Sequence, residues 1–215
     1  MTVGTERLVL RGPAGRIEAV RDVPALAAGV APRGTAVIAH PHPLFGGTMD
    51  NKVVQTVARA FLQCGWVAVR FNFRGVGVSD GVYDEGRGEQ QDLLAVIEQC
   101  GSGGSLALAG FSFGSYVASQ VASALVASRV VDHLVLVGLA AGRFDVSPLP
   151  QELADKTLVV HGELDDTVPL SAVMDWARPQ SLPLTVVPGG GHFFHGQLTL
   201  LKSLVVRHLR GERAG

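Results

Sequence analysis

The chain alternates between short, continuous apolar runs and longer segments with helical spacing, and this alternation restricts the fold more than any single motif. Residues 36–40, 67–71, 105–109, 133–137, 158–161 and 184–187 form the apolar runs. The inner ones do not alternate apolar with polar, so they are expected to be strands of a sheet covered on both faces. Between them lie segments 52–64, 90–98, 115–127, 171–178 and 198–209, which have helical character. Val53, Val57, Ala60 and Phe61 share one face of the first, and Leu93, Leu94 and Ile97 one side of the second. Strands that alternate with helices predict an α/β fold: a mostly parallel sheet with helices on both faces. Ahead of it, residues 8–10 and 16–21 flank Gly12-Pro13-Ala14-Gly15, which predicts an N-terminal antiparallel hairpin.

Size and composition narrow the classes further. At 215 residues and 47% hydrophobic, the chain suits a single domain over residues 1–215 with a sizeable core. A net charge of -1 leaves no basic surplus to hold phosphates, so no nucleic-acid partner is expected. The apolar stretches are strand-sized, far short of a membrane span, and residues 1–11 hold no apolar run of signal-peptide length. The expectation is a cytoplasmic protein without membrane attachment, a monomer or small homo-oligomer. Cys64 and Cys100 each end a predicted helix and neither belongs to a CxxC pair, so two free thiols are expected.

Ligands of such sheets bind beyond the carboxyl ends of the strands, and the unusual residues of this chain lie there. Gly110-Phe111-Ser112-Phe113-Gly114 follows one strand directly and leads into a helix. The pattern G-x-S-x-G marks a serine on a tight strand-to-helix turn, flanked by glycines where side chains would collide with backbone. A second match, Gly77-Val78-Ser79-Asp80-Gly81, comes several residues after its strand and no helix follows it. Context therefore selects Ser112 as the nucleophile and leaves Ser79 as a loop residue. The amides that open the next helix, Phe113 among them, are suited to a negative oxygen.

His192 lies in a glycine-rich loop after the last strand, within Pro188-Gly189-Gly190-Gly191-His192-Phe193-Phe194-His195. A histidine there can reach a serine across the sheet edge and act as base, with His195 the fallback. Asp165 and Asp166 follow the preceding strand, and one of them can orient the base. Glu163 is a poorer candidate because it adjoins the turn glycine. A second oxyanion donor is needed from the loop after residues 36–40. Pro41 and Pro43 have no N–H, which leaves His42, Leu44 or Phe45, with His42 favoured by position. Leu44, Phe45 and Phe193 are expected to touch substrate. His40 and His42, with His192 and His195, suggest a metal site as a rival, but no Cys, Asp or Glu cluster accompanies them. No metal and no cofactor are expected.

The stretches GFSFGS, HGELDDTVP and GGGHFF resemble the α/β-hydrolase superfamily. HPHPLFGGTMDNKVV with VRFNFRGVGVSDG is similar to a narrower group, the small bacterial, lidless, dienelactone-hydrolase-like proteins. The likeness runs from about Val37 to the C-terminus. It implies Ser112 as nucleophile, His192 as base and Asp165, not Asp166, as the acid. It also implies that the 72–81 loop is structural, with Arg74 and Ser79 in it and Asn72 where the wider family has aspartate. Lids in this fold are inserted after the strand at 133–137, and residues 138–156 are too few for one. The expectation is an open site that cleaves short-chain carboxylic esters through an acyl-enzyme, with a thioesterase or a non-catalytic binding module as alternatives. The scaffold itself says little about substrate.

Overall fold

A computed structural model describes residues 2–101 and 103–211. Its eight strands form one sheet in the order β1-β2-β4-β3-β5-β6-β7-β8. β1 (Thr2–Gly12) and β2 (Gly15–Pro24) make the antiparallel hairpin, and β2 also pairs antiparallel with β4 (Val67–Phe71). The rest of the sheet is parallel: β3 (Gly34–Ala39), β5 (Ser105–Phe111), β6 (His133–Val137), β7 (Thr157–Gly162) and β8 (Leu184–Val187). The hairpin strands run to 11 and 10 residues, well beyond their apolar signal. Strands at this end of the sheet pair through backbone while many of their side chains stay in water, so hydrophobicity marks only part of their length.

The continuous apolar runs split by parity onto the two faces of the sheet, as the two-residue period of a strand requires. Leu106, Leu108, Leu134 and Leu136 pack with α2 (Arg87–Cys100) and α3 (Phe113–Leu125) in one core. Ala107, Ala109, Val135 and Val137 pack with α1 (Lys52–Gln63) and α6 (Leu198–Gly211) in the other. Phe61 and Trp66 anchor this second core and are almost fully buried. Asn51 caps α1, its side chain accepting the Val53 amide at 2.8 Å.

Two helices begin two or three residues earlier than sequence spacing predicts. α2 starts at Arg87 because the Glu89 carboxylate accepts the amides of Asp84 (2.9 Å) and Gly86 (2.8 Å), which fixes a start that two glycines obscure. α3 starts at Phe113, one residue past Ser112. Between β6 and β7 the described helices comprise only α4 (Gln151–Ala154), so the fold carries no lid. α5 (Leu170–Ala177) follows β7. Among the described residues no helix is long and apolar enough to cross a membrane.

Candidate active site

Ser112 is the single residue between the end of β5 and the start of α3, at φ 56° and ψ -118°. A non-glycine residue at positive φ is strained and persists only when its surroundings over-determine it. Here Ser112 N–H donates to Val137 O at 2.9 Å, and Ser112 O accepts from Ser115 N at 2.9 Å. The buried Ser115 hydroxyl accepts the Val137 amide at 3.0 Å and lies 2.6 Å from Gly110 O, tying α3 to β5 and β6. The glycine spacing has a steric cause. A Cβ on Gly110 would stand 2.2 Å from the Gly114 carbonyl, and one on Gly114 would stand 2.4 Å from Ala39 O. The close approach of α3 to the end of β3 brings the 41–47 loop beside Ser112.

The other serine of the same pattern has a different occupation. Ser79 Oγ donates to Asn72 O at 2.8 Å and accepts the Glu18 amide at 3.0 Å, joining the loop after β4 to the hairpin. Arg74 and Asp92 form a buried ion pair at 2.8 Å that holds the same loop to α2.

Ser112, His192 and Asp165 come together from three loops. Ser112 Oγ–H donates to His192 Nε2 at 3.0 Å, and His192 Nδ1–H donates to Asp165 Oδ2 at 2.6 Å. All three residues are buried. Close glycine contacts set the two loops: a Cβ on Gly162 would stand 2.4 Å from Gly190 O, and Leu164 N–H donates to Gly190 O at 2.8 Å. Asp165 Oδ1 accepts the amides of Thr167 (2.9 Å) and Val168 (2.7 Å), which fixes the carboxylate and leaves Oδ2 for the histidine. Burial by itself raises the Asp165 carboxyl. The His192 hydrogen bond, the Val168 amide and the neighbouring histidines outweigh it, and the group lies below the ordinary carboxylate value. An ionised Asp165 keeps the imidazole proton on Nδ1 and presents the Nε2 lone pair to Ser112. Such a line can take a proton from a hydroxyl while the carboxylate balances the charge.

The alternative residues lie elsewhere. Asp166 is exposed and accepts the Thr167 hydroxyl at 3.3 Å, and Glu163 accepts the Gly189 amide at the surface at 2.8 Å. His195 is exposed in the turn before α6. The sequence reading missed His161, at the end of β7. It is fully buried, its Nε2–H donates to Val168 O at 2.9 Å, and the same nitrogen lies 3.4 Å from Asp165 Oδ2. Burial lowers its pKa and favours the neutral ring. The available signal was a polar residue closing an apolar strand just ahead of the acidic loop.

The loop after β3 sorts its own amides. Leu44 N–H donates to His42 Nδ1 at 3.2 Å, and the Phe45 and Gly47 amides donate to His42 O at 3.1 and 3.0 Å. Leu44 and Phe45 are thereby spent within the turn 43–45 as oxyanion donors. The amides of His42 and Phe113 have no hydrogen-bond partner among the described residues, and both residues line one cleft with Ser112. His40 is built into the scaffold: its Nδ1–H donates to Pro41 O at 2.6 Å and its Nε2 accepts the Phe73 amide at 3.0 Å. Burial pushes its pKa down to about 4. With both ring nitrogens engaged, His40 cannot pair with His42 as a metal ligand, and no group of three such side chains clusters among the described residues.

The cleft measures about 510 Å³, and Phe45, Phe113, Phe144 and Phe193 are among its lining residues. Phe144 packs on Phe113 and Tyr116 with ring centroids 5.2 and 4.8 Å apart, and the His42 ring lies tilted at 5.1 Å from Phe113. Phe45 and Phe193, two of the residues expected to touch substrate, line the cleft. Leu44 lies outside the lining. Neighbours in a tight 3₁₀ turn project about 120° apart, so Phe45 and Leu44 cannot share the cleft face.

A mostly parallel sheet with a serine at the β5–α3 turn, an aspartate after β7 and a histidine after β8 defines an α/β hydrolase with a Ser-His-Asp site. The comparisons agree. An α/β serine hydrolase without lid from Xanthomonas campestris is 36% identical, with a TM-score of 0.87 over 100% of this chain and 98% of that one. An α/β serine hydrolase homologue from Coxiella burnetii is 40% identical, with a TM-score of 0.80 over 97% of this chain and 98% of that one. The family model described as X-Pro dipeptidyl-peptidase (S15 family) matches residues 22–135, just over half of the chain. An uncharacterised protein of Rickettsia prowazekii is 28% identical over 208 residues, 87% of this chain and 82% of that protein. The chain belongs to the lidless α/β serine hydrolases, a fold family that the S15 model shares.

Proposed function

We propose that this protein hydrolyses carboxylic esters of small molecules through an acyl-enzyme on Ser112. In this reading His192 accepts the Ser112 proton as Oγ attacks the ester carbonyl, and the amides of His42 and Phe113 hold the oxyanion. The C–O bond to the alcohol breaks as His192 returns that proton to the leaving oxygen. Water then attacks the acyl-enzyme, giving one proton to His192, and Ser112 recovers it as the acid departs. Asp165 holds the ring and balances its charge throughout.

The single observation that carries the reading is the hydrogen-bonded line from Ser112 Oγ through His192 to Asp165, at 3.0 and 2.6 Å. Labelling with a fluorophosphonate tests it: the label should sit on Ser112 and vanish in Ser112→Ala. A panel of p-nitrophenyl esters and acyl-CoA thioesters then separates esterase from thioesterase. Labelling absent from the folded wild-type protein ends the proposal.

The S15 match favours a second reading, release of Xaa-Pro dipeptides. An enzyme that counts from a peptide's free N-terminus needs an acidic anchor for the ammonium. No Asp or Glu lines the cleft among the described residues, and its charged side chain is the cation Arg143. This supports the ester over the peptide, and Xaa-Pro-p-nitroanilides in the same panel decide between them.

A further inference from the structure

Arg143 is the one formally charged side chain among the described residues that line the cleft; the rest of the lining is aromatic, apolar or neutral. It lies in the loop after β6, where a lid would otherwise sit, and two features hold it. Its backbone closes a tight turn, with Arg143 N–H donating to Ala140 O at 3.2 Å and Phe144 N–H to the same oxygen at 3.1 Å. Its guanidinium is fixed along one edge, Nε–H and Nη2–H both donating to Thr167 O at 3.1 and 2.9 Å. Thr167 belongs to the turn that fixes Asp165, so the cation is registered to the candidate triad.

Arg143 has no carboxylate partner among the described residues. Arg16 meets Asp80 at 2.9 Å and Arg74 meets Asp92 at 2.8 Å, whereas no ion pair forms at Arg143 among the described residues. Two of its five N–H groups are used on Thr167 O, both from the Nε side. The terminal edge, Nη1 with the outer proton of Nη2, remains free. That edge is a planar fork of parallel donors, the shape that grips a carboxylate in two hydrogen bonds. An aromatic cleft with one tethered, unpaired guanidinium suits a ligand with an apolar body and a carboxylate at one end.

Resting on the ester-hydrolase reading above, we propose that Arg143 is the specificity residue of this site and that the substrates are esters carrying a free carboxylate away from the scissile bond. The anion binds the open edge of Arg143, the apolar body lies along Phe144, and the ester carbonyl meets Ser112.

The test compares charged and neutral esters of equal length. One series is the 4-nitrophenyl half-esters of linear dicarboxylic acids from succinate to suberate, set against the 4-nitrophenyl esters of the corresponding fatty acids, with spontaneous hydrolysis subtracted. A second places the charge on the alcohol: butyrate esters of 3- and 4-hydroxybenzoate against those of the methyl hydroxybenzoates. The readout is the ratio of kcat/KM, charged over neutral, so a general loss of activity in a variant cancels. At the best length in one series the ratio should be about tenfold or more, the worth of a charge-assisted hydrogen-bonded pair. It should fall about tenfold in Arg143→Gln, recover in part in Arg143→Lys, and shrink in high salt. Fluorophosphonate labelling of each variant verifies that its site is assembled. A ratio at or below one at every length in both series overturns the proposal, as does a ratio that Arg143→Gln leaves untouched. In either case hydrolysis of the neutral esters keeps the ester-hydrolase reading standing. Absence of both labelling and ester turnover removes that reading and Arg143's role with it.

Discussion

His192 Nδ1 and Asp165 Oδ2 are 2.6 Å apart, and both side chains are almost completely shielded from water. Replacing the acid by an amide alters charge with little change in volume. Asp165→Asn should lower kcat by roughly 10⁴-fold, because the amide can donate to Nδ1 and hold the ring in the wrong tautomer. The acid also has a stability signature. The folded carboxyl lies below its ordinary value, so its contribution is present above the unfolded pKa, near 4, and is lost as pH falls through the folded one. Urea titrations from pH 6 to pH 2 should show the wild-type losing stability in the acid range more steeply than Asp165→Asn. Parallel curves would mean that the carboxylate contributes nothing to folding.

His40 must likewise stay deprotonated, and its effect lies at higher pH. Its ring is neutral in the folded chain, with a pKa near 4 against 6.5 for the free side chain. Between these values the unfolded chain binds a proton that the folded chain refuses, so stability falls as pH drops from about 6.5 and the loss is complete below about 4. The full effect is on the order of 3 kcal/mol. His40→Asn should be less stable at pH 8, since the tie between Pro41 O and the Phe73 amide is lost, yet show a shallower decline toward pH 4. Denaturation midpoints for the two proteins at four pH values supply the comparison, and equal slopes would remove His40 from the acid response.

Gly114 admits little variation. A Cβ there meets the carbonyl oxygens of Ala39 and His40 at 2.4 and 2.5 Å, both backbone atoms that cannot swing aside. Gly114→Ala must push α3 off β3, which moves Ser112 relative to the 41–47 loop. We expect a loss of about 1–3 kcal/mol from overpacking, and a larger proportional loss of kcat than of secondary structure. Circular dichroism with ester kinetics would separate the two; full activity in the variant would show that the approach of α3 to β3 is not needed.

The parts legible in the sequence were those with a short-range physical cause. Doubly buried strands have to be apolar throughout, so β3 to β7 announced themselves, while β8, an apolar run too, proves to be a half-exposed edge strand. The Gly110–Gly114 turn could be recognised because sterics forbid side chains at two fixed positions. The hairpin was half visible, since solvent-facing positions of β1 and β2 carry no hydrophobic signal. His161 was missed because its partners, Val168 O and Asp165, become neighbours only when the loop after β7 folds back. Arg143 was missed for a related reason. A lone arginine in a loop looks like any surface charge until the fold places it in an aromatic cleft without a counterion.

The oxyanion donors yield the sharpest chemical prediction. Residue 42 has φ -53°, close to the value a proline ring imposes, so proline fits there without bending the loop. His42→Pro deletes one N–H and also the ring that accepts the Leu44 amide. His42→Asn keeps the N–H and a short polar acceptor, and so isolates the effect of the amide. If the His42 amide holds the developing negative charge, His42→Pro should have a kcat about 10²–10³-fold below His42→Asn, with KM for the same ester changing far less. The ground-state ester needs little from this donor and the tetrahedral oxygen needs a great deal, so the loss belongs in kcat. Equal kcat in the two variants would move the second donor away from residue 42. Because Leu44 and Phe45 already donate to His42 itself, the search would then pass to the amides at the start of α3.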